Sequence, residues 1–112
     1  MSFKTYYPEL IRALPEYEGR FEARKLEAKD CDVLFASYPA GTKIESHTHP
    51  TENIGVITKG ALLLTMDGNT QLFATGDWYH VPAGKEHAAE FTTDTAEIEF
   101  WFTLKADGQD FD

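Results

Sequence analysis

From Phe21 onward a turn-forming residue interrupts the chain every eight to twelve residues, and the segments between them either alternate apolar with polar side chains or run apolar. Helices of useful length do not survive such punctuation, whereas short strands require it. The rhythm predicts an antiparallel all-β sandwich or barrel, with strands at about 20–27, 32–38, 43–48, 53–58, 60–66, 70–74, 77–81, 87–93 and 95–104. Asp67-Gly68-Asn69 is the clearest hairpin signal, and Gly41, Gly60, Gly76 and Gly84 each stand at the edge of a strand. Eight or nine such strands can close around a core wide enough for one small ligand. Only the first 15 residues look helical, with a short helix from Pro8 through Leu14 that Pro15 would end.

With 112 residues, 42% of them hydrophobic, the chain makes one domain: a helical arm at 1–19, a barrel at 20–104 and an acidic tail at 105–112. The net charge of −9 argues against nucleic acid or an anionic membrane surface as a partner. No apolar run is long enough to span a bilayer and the N-terminus lacks a signal-peptide layout, so a cytoplasmic location is expected. Cys31 is the single cysteine and cannot close an internal disulfide; Asp30 and Asp32 beside it should raise its pKa. Residues 1–29 carry six bases and five acids, while residues 30–112 carry fourteen acids, four lysines and no arginine. Any arginine clamp on an anionic ligand would have to come from the N-terminal arm.

His47 and His49 stand two apart at a strand end, so both imidazoles face the same side, and a second strand could bring His87 to them. A His-x-His pair alone is weak evidence for a metal. The wider frame is more specific: Gly41, five residues, His47, one, His49, three, Asn53, six, Gly60, then Gly76, five, Pro82, one, Gly84, two, His87. This frame resembles the two motifs of the cupin superfamily. The resemblance implies a small jelly-roll β-barrel and one divalent metal held by His47, His49, His87 and the residue at the family's glutamate position, which is Asn53 here. Imidazole ligands suit Zn, Ni, Fe and other transition metals alike, and the motif does not choose among Zn, Ni, Fe and Mn.

Asn53 is the departure from the family pattern. An amide oxygen is neutral, so an ion held by three histidines and Asn53 would keep its double charge, making it a stronger Lewis acid but less tightly bound. Two alternatives are a site of three histidines and water, and a register slip that brings Glu52 in place of Asn53.

On the last strand, Glu97, Glu99 and Trp101 share one face and Ile98, Phe100 and Phe102 the other. Hydrophobic alternation alone turns both glutamates to solvent. His47 through Gly55, and the stretch from Ile98 to Lys105, also resemble the small cupins of pectin breakdown that convert unsaturated uronates to linear keto acids. That resemblance implies Asn53 as amide ligand, Glu99 as the catalytic carboxylate and Lys105 as a basic residue nearby. His80 could reach the cavity, a dimer face or solvent, and Ser37 and Tyr38 stand where they could bond a ligand. The expected function is metal-dependent isomerase or lyase chemistry on a small oxygenated, sugar-acid-like metabolite. An Fe(II)-dependent dioxygenase and a non-catalytic binding or sensory protein are the alternatives. The family and an aromatic share of 13% suggest a homodimer.

Overall fold

The computed structural model describes residue 7 and residues 9–17, 22–28 and 30–102. Among them, nine strands follow a single helical turn, α1 (Glu9–Arg12). The strands are β1 (Glu22–Ala28), β2 (Cys31–Tyr38), β3 (Thr42–His47), β4 (Glu52–Lys59), β5 (Ala61–Met66), β6 (Asn69–Ala74), β7 (Trp78–Val81), β8 (His87–Phe91) and β9 (Thr95–Phe102). They form two antiparallel sheets, ordered β1-β2-β9-β4-β7 and β3-β8-β5-β6. The helix is shorter than the sequence suggests, and the acidic tail and Lys105 lie outside the described residues.

The hairpin between β5 and β6 turns on Asp67 and Gly68, both with positive φ (52° and 76°), so Asn69 already pairs with Met66. Two consecutive left-handed residues match the twist of the flanking strands. Alternation then fills the space between the sheets. Leu34, Ala36 and Tyr38 enter from β2, Leu62 and Leu64 from β5, and Phe91 from β8, stacked on Tyr38 with ring centroids 3.9 Å apart.

Two features depart from simple alternation, and both shape the interior. In β3 the register slips between Ile44, which pairs with Ala89, and His47, which pairs with His87. Two residues on β3, Glu45 and Ser46, thus oppose one on β8, Ala88, and this bulge restores His47 to the interior side on which Ile44 stands. In β4, Gly55 lies between Glu99 of β9 and Tyr79 of β7. A Cβ at residue 55 would stand 2.3 Å from the Tyr79 ring, so the missing side chain is what lets that ring lie across the strand.

Gly55→Ala is therefore expected to displace Tyr79 and to cost about 1–3 kcal/mol by overpacking. Urea unfolding measures it; a midpoint equal to that of the wild type would show that the ring is not held against β4.

Candidate metal centre and buried carboxyl pair

Three histidines converge from the ends of β3 and β8 and the loop between β3 and β4. The ligand nitrogens of His47, His49 and His87 lie within 4.8 Å of one another. Each ring is held by a main-chain carbonyl two residues away: His47 Nδ1 to Glu45 O (2.7 Å), His49 Nδ1 to Thr51 O (3.2 Å) and His87 Nδ1 to Lys85 O (2.9 Å). A carbonyl oxygen only accepts, so each Nδ1 carries the hydrogen and each Nε2 keeps its lone pair. This is the arrangement by which proteins orient metal-binding histidines. Burial lowers the pKa of His49 and of His87, which keeps both imidazoles in the neutral, ligating form.

The three rings open on a cavity of about 270 Å³ between the sheets, whose lining also includes Asn53, Tyr79, Glu97, Glu99 and Trp101. Asn53 is 4% exposed, and its Oδ1 is buried with no hydrogen-bond partner. An orphaned amide oxygen in a cavity with three imidazoles is what a fourth oxygen ligand would leave when its ion is subtracted, because buried acceptors are otherwise paired. The residues present fit a divalent transition metal. Glu52 does not enter the cavity, and the register slip is excluded. Its carboxylate accepts from Ala83 N (2.9 Å) and pairs with His80 Nε2 (2.5 Å) on the other side of β4, and the Ala83 bond leads in holding its pKa below the usual range. His80 is thereby placed outside the cavity as well.

The structure overturns the expectation from alternation for the glutamates on β9. Glu97 and Glu99 are 2% and 3% exposed and face inward, while Ile98 packs beneath Tyr7 on the outer side. Four hydrogen bonds make this burial tolerable. Tyr38 Oη donates to Glu99 Oε2, Trp101 Nε1 donates to Glu99 Oε1 (3.0 Å), Tyr79 Oη donates to Glu97 Oε1 (2.5 Å), and the two carboxyls bond each other. Burial raises the pKa of both acids, and the charge of Glu99 pushes Glu97 further. Burial and mutual repulsion thus favour a pair that holds one proton between its two carboxyls. Trp101 joins the two halves of the cavity, its ring centroid 4.6 Å from that of His49.

Glu97 and Tyr79 are the residues that the sequence reading did not assign. The signal was available: Glu97 shares strand parity with Trp101, and Tyr79 shares it with Val81, which is buried. Tyr38 lines the cavity, and its hydroxyl donates to Glu99. Ser37 is buried on the same strand. No arginine or lysine lines the cavity among the described residues. Arg12 of α1 and Arg24 of β1 are engaged with main-chain carbonyls, and Arg24 with Glu16 (3.5 Å). Cys31 has a raised pKa chiefly through burial, with Asp32 adding to it.

The cupin domain family matches residues 34–104, and the chain belongs to it. Solved structures bear out the fold. A conserved protein of unknown function from Streptococcus pyogenes is 22% identical over 89% of each chain, with a TM-score of 0.72. KdgF from a Halomonas species is 17% identical over 91% of this chain and 97% of its own, with a TM-score of 0.74. A predicted oxalate decarboxylase from Thermotoga maritima is 22% identical over 78% and 84%, with a TM-score of 0.68.

His49→Ala should lose most bound metal while keeping its fold, because the strand core and not the ion supplies the stability; elemental analysis and circular dichroism check this, and global unfolding would contradict it. A second expectation concerns pH. A buried acid with a raised pKa binds its proton more tightly folded than unfolded, so its contribution to stability declines as pH rises from the unfolded value near 4.5 towards the folded one. In metal-free protein, Glu97→Gln should remove that decline. Subtracting urea-denaturation curves of variant and wild type across pH 4.5 to 7 isolates it from the opposite slope of His49 and His87, and a flat difference would refute it.

Proposed function

We propose that the protein is a metal-dependent enzyme that moves a proton on a small oxygenated, sugar-acid-like metabolite, in an isomerase or lyase reaction. The observation that carries this reading is the Glu97–Glu99 pair in the same cavity as the three histidines and the orphaned Asn53 oxygen. A module that only binds its ligand has no use for two costly buried acids beside the site.

His47, His49 and His87 would hold the metal through Nε2, and Asn53 through Oδ1. When bound, a divalent ion polarises a substrate carbonyl or hydroxyl oxygen, which acidifies the neighbouring C–H. Glu99 is the residue that takes and returns the proton. Its raised pKa brings it nearer to neutrality, where a base can both accept and release. Tyr38 and Trp101 fix the orientation of its carboxylate, and a proton shared with Glu97 keeps a second negative charge out of the cavity. The aromatic and aliphatic walls, among them Phe91, Leu62 and Ile44, restrict water around the reacting atoms. Oxygen activation is the second reading for such a histidine set, but it gives the carboxyl pair no task.

We also read the protein as a cytoplasmic homodimer. Trp78 is 58% exposed and stacks on Phe100 on the outer face of the five-stranded sheet, a face suited to a second copy. Sedimentation at micromolar concentration should give a dimer, and a monomer would refute it. No helix among the described residues is long and apolar enough to cross a membrane.

For the reaction, metal-loaded protein is offered unsaturated uronates and small hydroxy and keto acids in D₂O. Deuterium incorporation or loss of the unsaturated chromophore is expected, with Glu99→Gln lowering the rate about 10²- to 10⁴-fold. Turnover unaffected by Glu99→Gln would sink the role of that residue. Asn53→Glu should bind metal more tightly, since a charged ligand replaces a neutral one; weaker retention would point to water as the fourth ligand.

A further inference from the structure

An asparagine presents a ligand at one end and a donor at the other, and only the oxygen can bind a cation. Something in the structure must decide which end of Asn53 faces the cavity, and this decision has no counterpart where the same position is a glutamate. Asn53 lies on β4 two residues before Gly55, with Tyr79 across from Gly55 on β7. The Tyr79 ring crosses Gly55, where no Cβ stands in its way, and its hydroxyl donates to Glu97 Oε1 at 2.5 Å. A hydroxyl has one hydrogen. Once that hydrogen is given to Glu97, the Tyr79 oxygen can only accept, and Asn53, on the same face of β4 as the Gly55 that the hydroxyl covers, is within reach to donate to it. Only the amide N–H₂ can serve as donor there. The opposite end, Oδ1, is left buried and without a partner among the protein's own groups.

We propose that Tyr79, oriented by Glu97 and admitted by Gly55, is a positioning residue that fixes the Asn53 amide with its oxygen towards the metal site. The chain runs Glu97, Tyr79, Asn53, and each hydrogen bond in it has its direction set by the one before. Glu97 thus has a second task beside its partnership with Glu99: it removes the only arrangement in which Tyr79 could donate to Oδ1 and compete with the ion. The inference rests on Asn53 being the fourth ligand.

The test is a double-mutant cycle read by Zn²⁺ titration of the metal-free full-length protein. Aspartate has nearly the shape of asparagine, but its two oxygens are equivalent, so there is no end to choose. Tyr79→Phe is expected to weaken Zn²⁺ binding about tenfold or more in the Asn53 protein and by less than about threefold in the Asn53→Asp background. Where Tyr79→Phe fails to fold, Glu97→Ala takes its place, because it frees the Tyr79 hydroxyl to donate to Oδ1 and should show the same dependence on residue 53. Equal weakening in both backgrounds would mean that Tyr79 acts only through packing, and no weakening in either would mean that it does not act on Asn53; either result overturns the inference alone. A wild type that takes up no divalent metal, or an Asn53→Ala variant that binds Zn²⁺ like the wild type, overturns the inference together with the ligand assignment beneath it.

Discussion

A carboxyl group placed in the middle of a core strand is among the most expensive choices a small barrel can make, and β9 makes it twice. Leaving one such group unpaired costs several kcal/mol. Glu97 and Glu99 are affordable because three strands supply their partners: Tyr38 from β2, Tyr79 from β7, and Trp101 from β9 itself. Each partner has a further condition. Tyr38 lies flat on Phe91, and Tyr79 needs the bare backbone of Gly55. The walls of the cavity follow from satisfying these two acids, which is why aromatic hydroxyls and small residues meet at the centre of the five-stranded sheet.

The histidines arrive by a different route, through turns and a register fault. Each Nδ1 is tied to the carbonyl two residues before or after it, so ring orientation is a property of the local chain at the strand ends. The bulge in β3 corrects the face of His47. One sheet therefore supplies two of the nitrogens and the other the acids, Asn53 standing among the latter on β4.

Much of this was legible beforehand. Glycines, prolines and the Asp67-Gly68 hairpin placed all nine strands to within about two residues, since turn chemistry is written locally. The cupin spacing brought His47, His49 and His87 together. Glu97 and Glu99 were not legible from alternation, because that rule assumes acids face water, and here the apolar residues of β9 pack outward under Tyr7 and beside Trp78. Nothing local announces that a strand is apolar on its outer face. The relation of Tyr79 to Gly55 and Asn53 is likewise a cross-strand register, visible only once β4 and β7 are paired.

The neutral side chain at position 53 and the lack, among the described residues, of basic side chains around the cavity have a common electrostatic logic. A divalent ion there would bring two positive charges, and the Glu97–Glu99 pair, sharing one proton, would remove one of them. With asparagine at 53, one positive charge would remain for an incoming ligand, whereas a glutamate there would cancel it. Among the described residues no arginine or lysine lines the cavity to compensate. In a low-dielectric space of about 270 Å³ that single charge matters. An anionic metabolite could then be drawn in by the site itself, in a chain whose net charge of −9 otherwise repels it. Asparagine at the family's glutamate position would thus let an acidic barrel accommodate an anionic ligand.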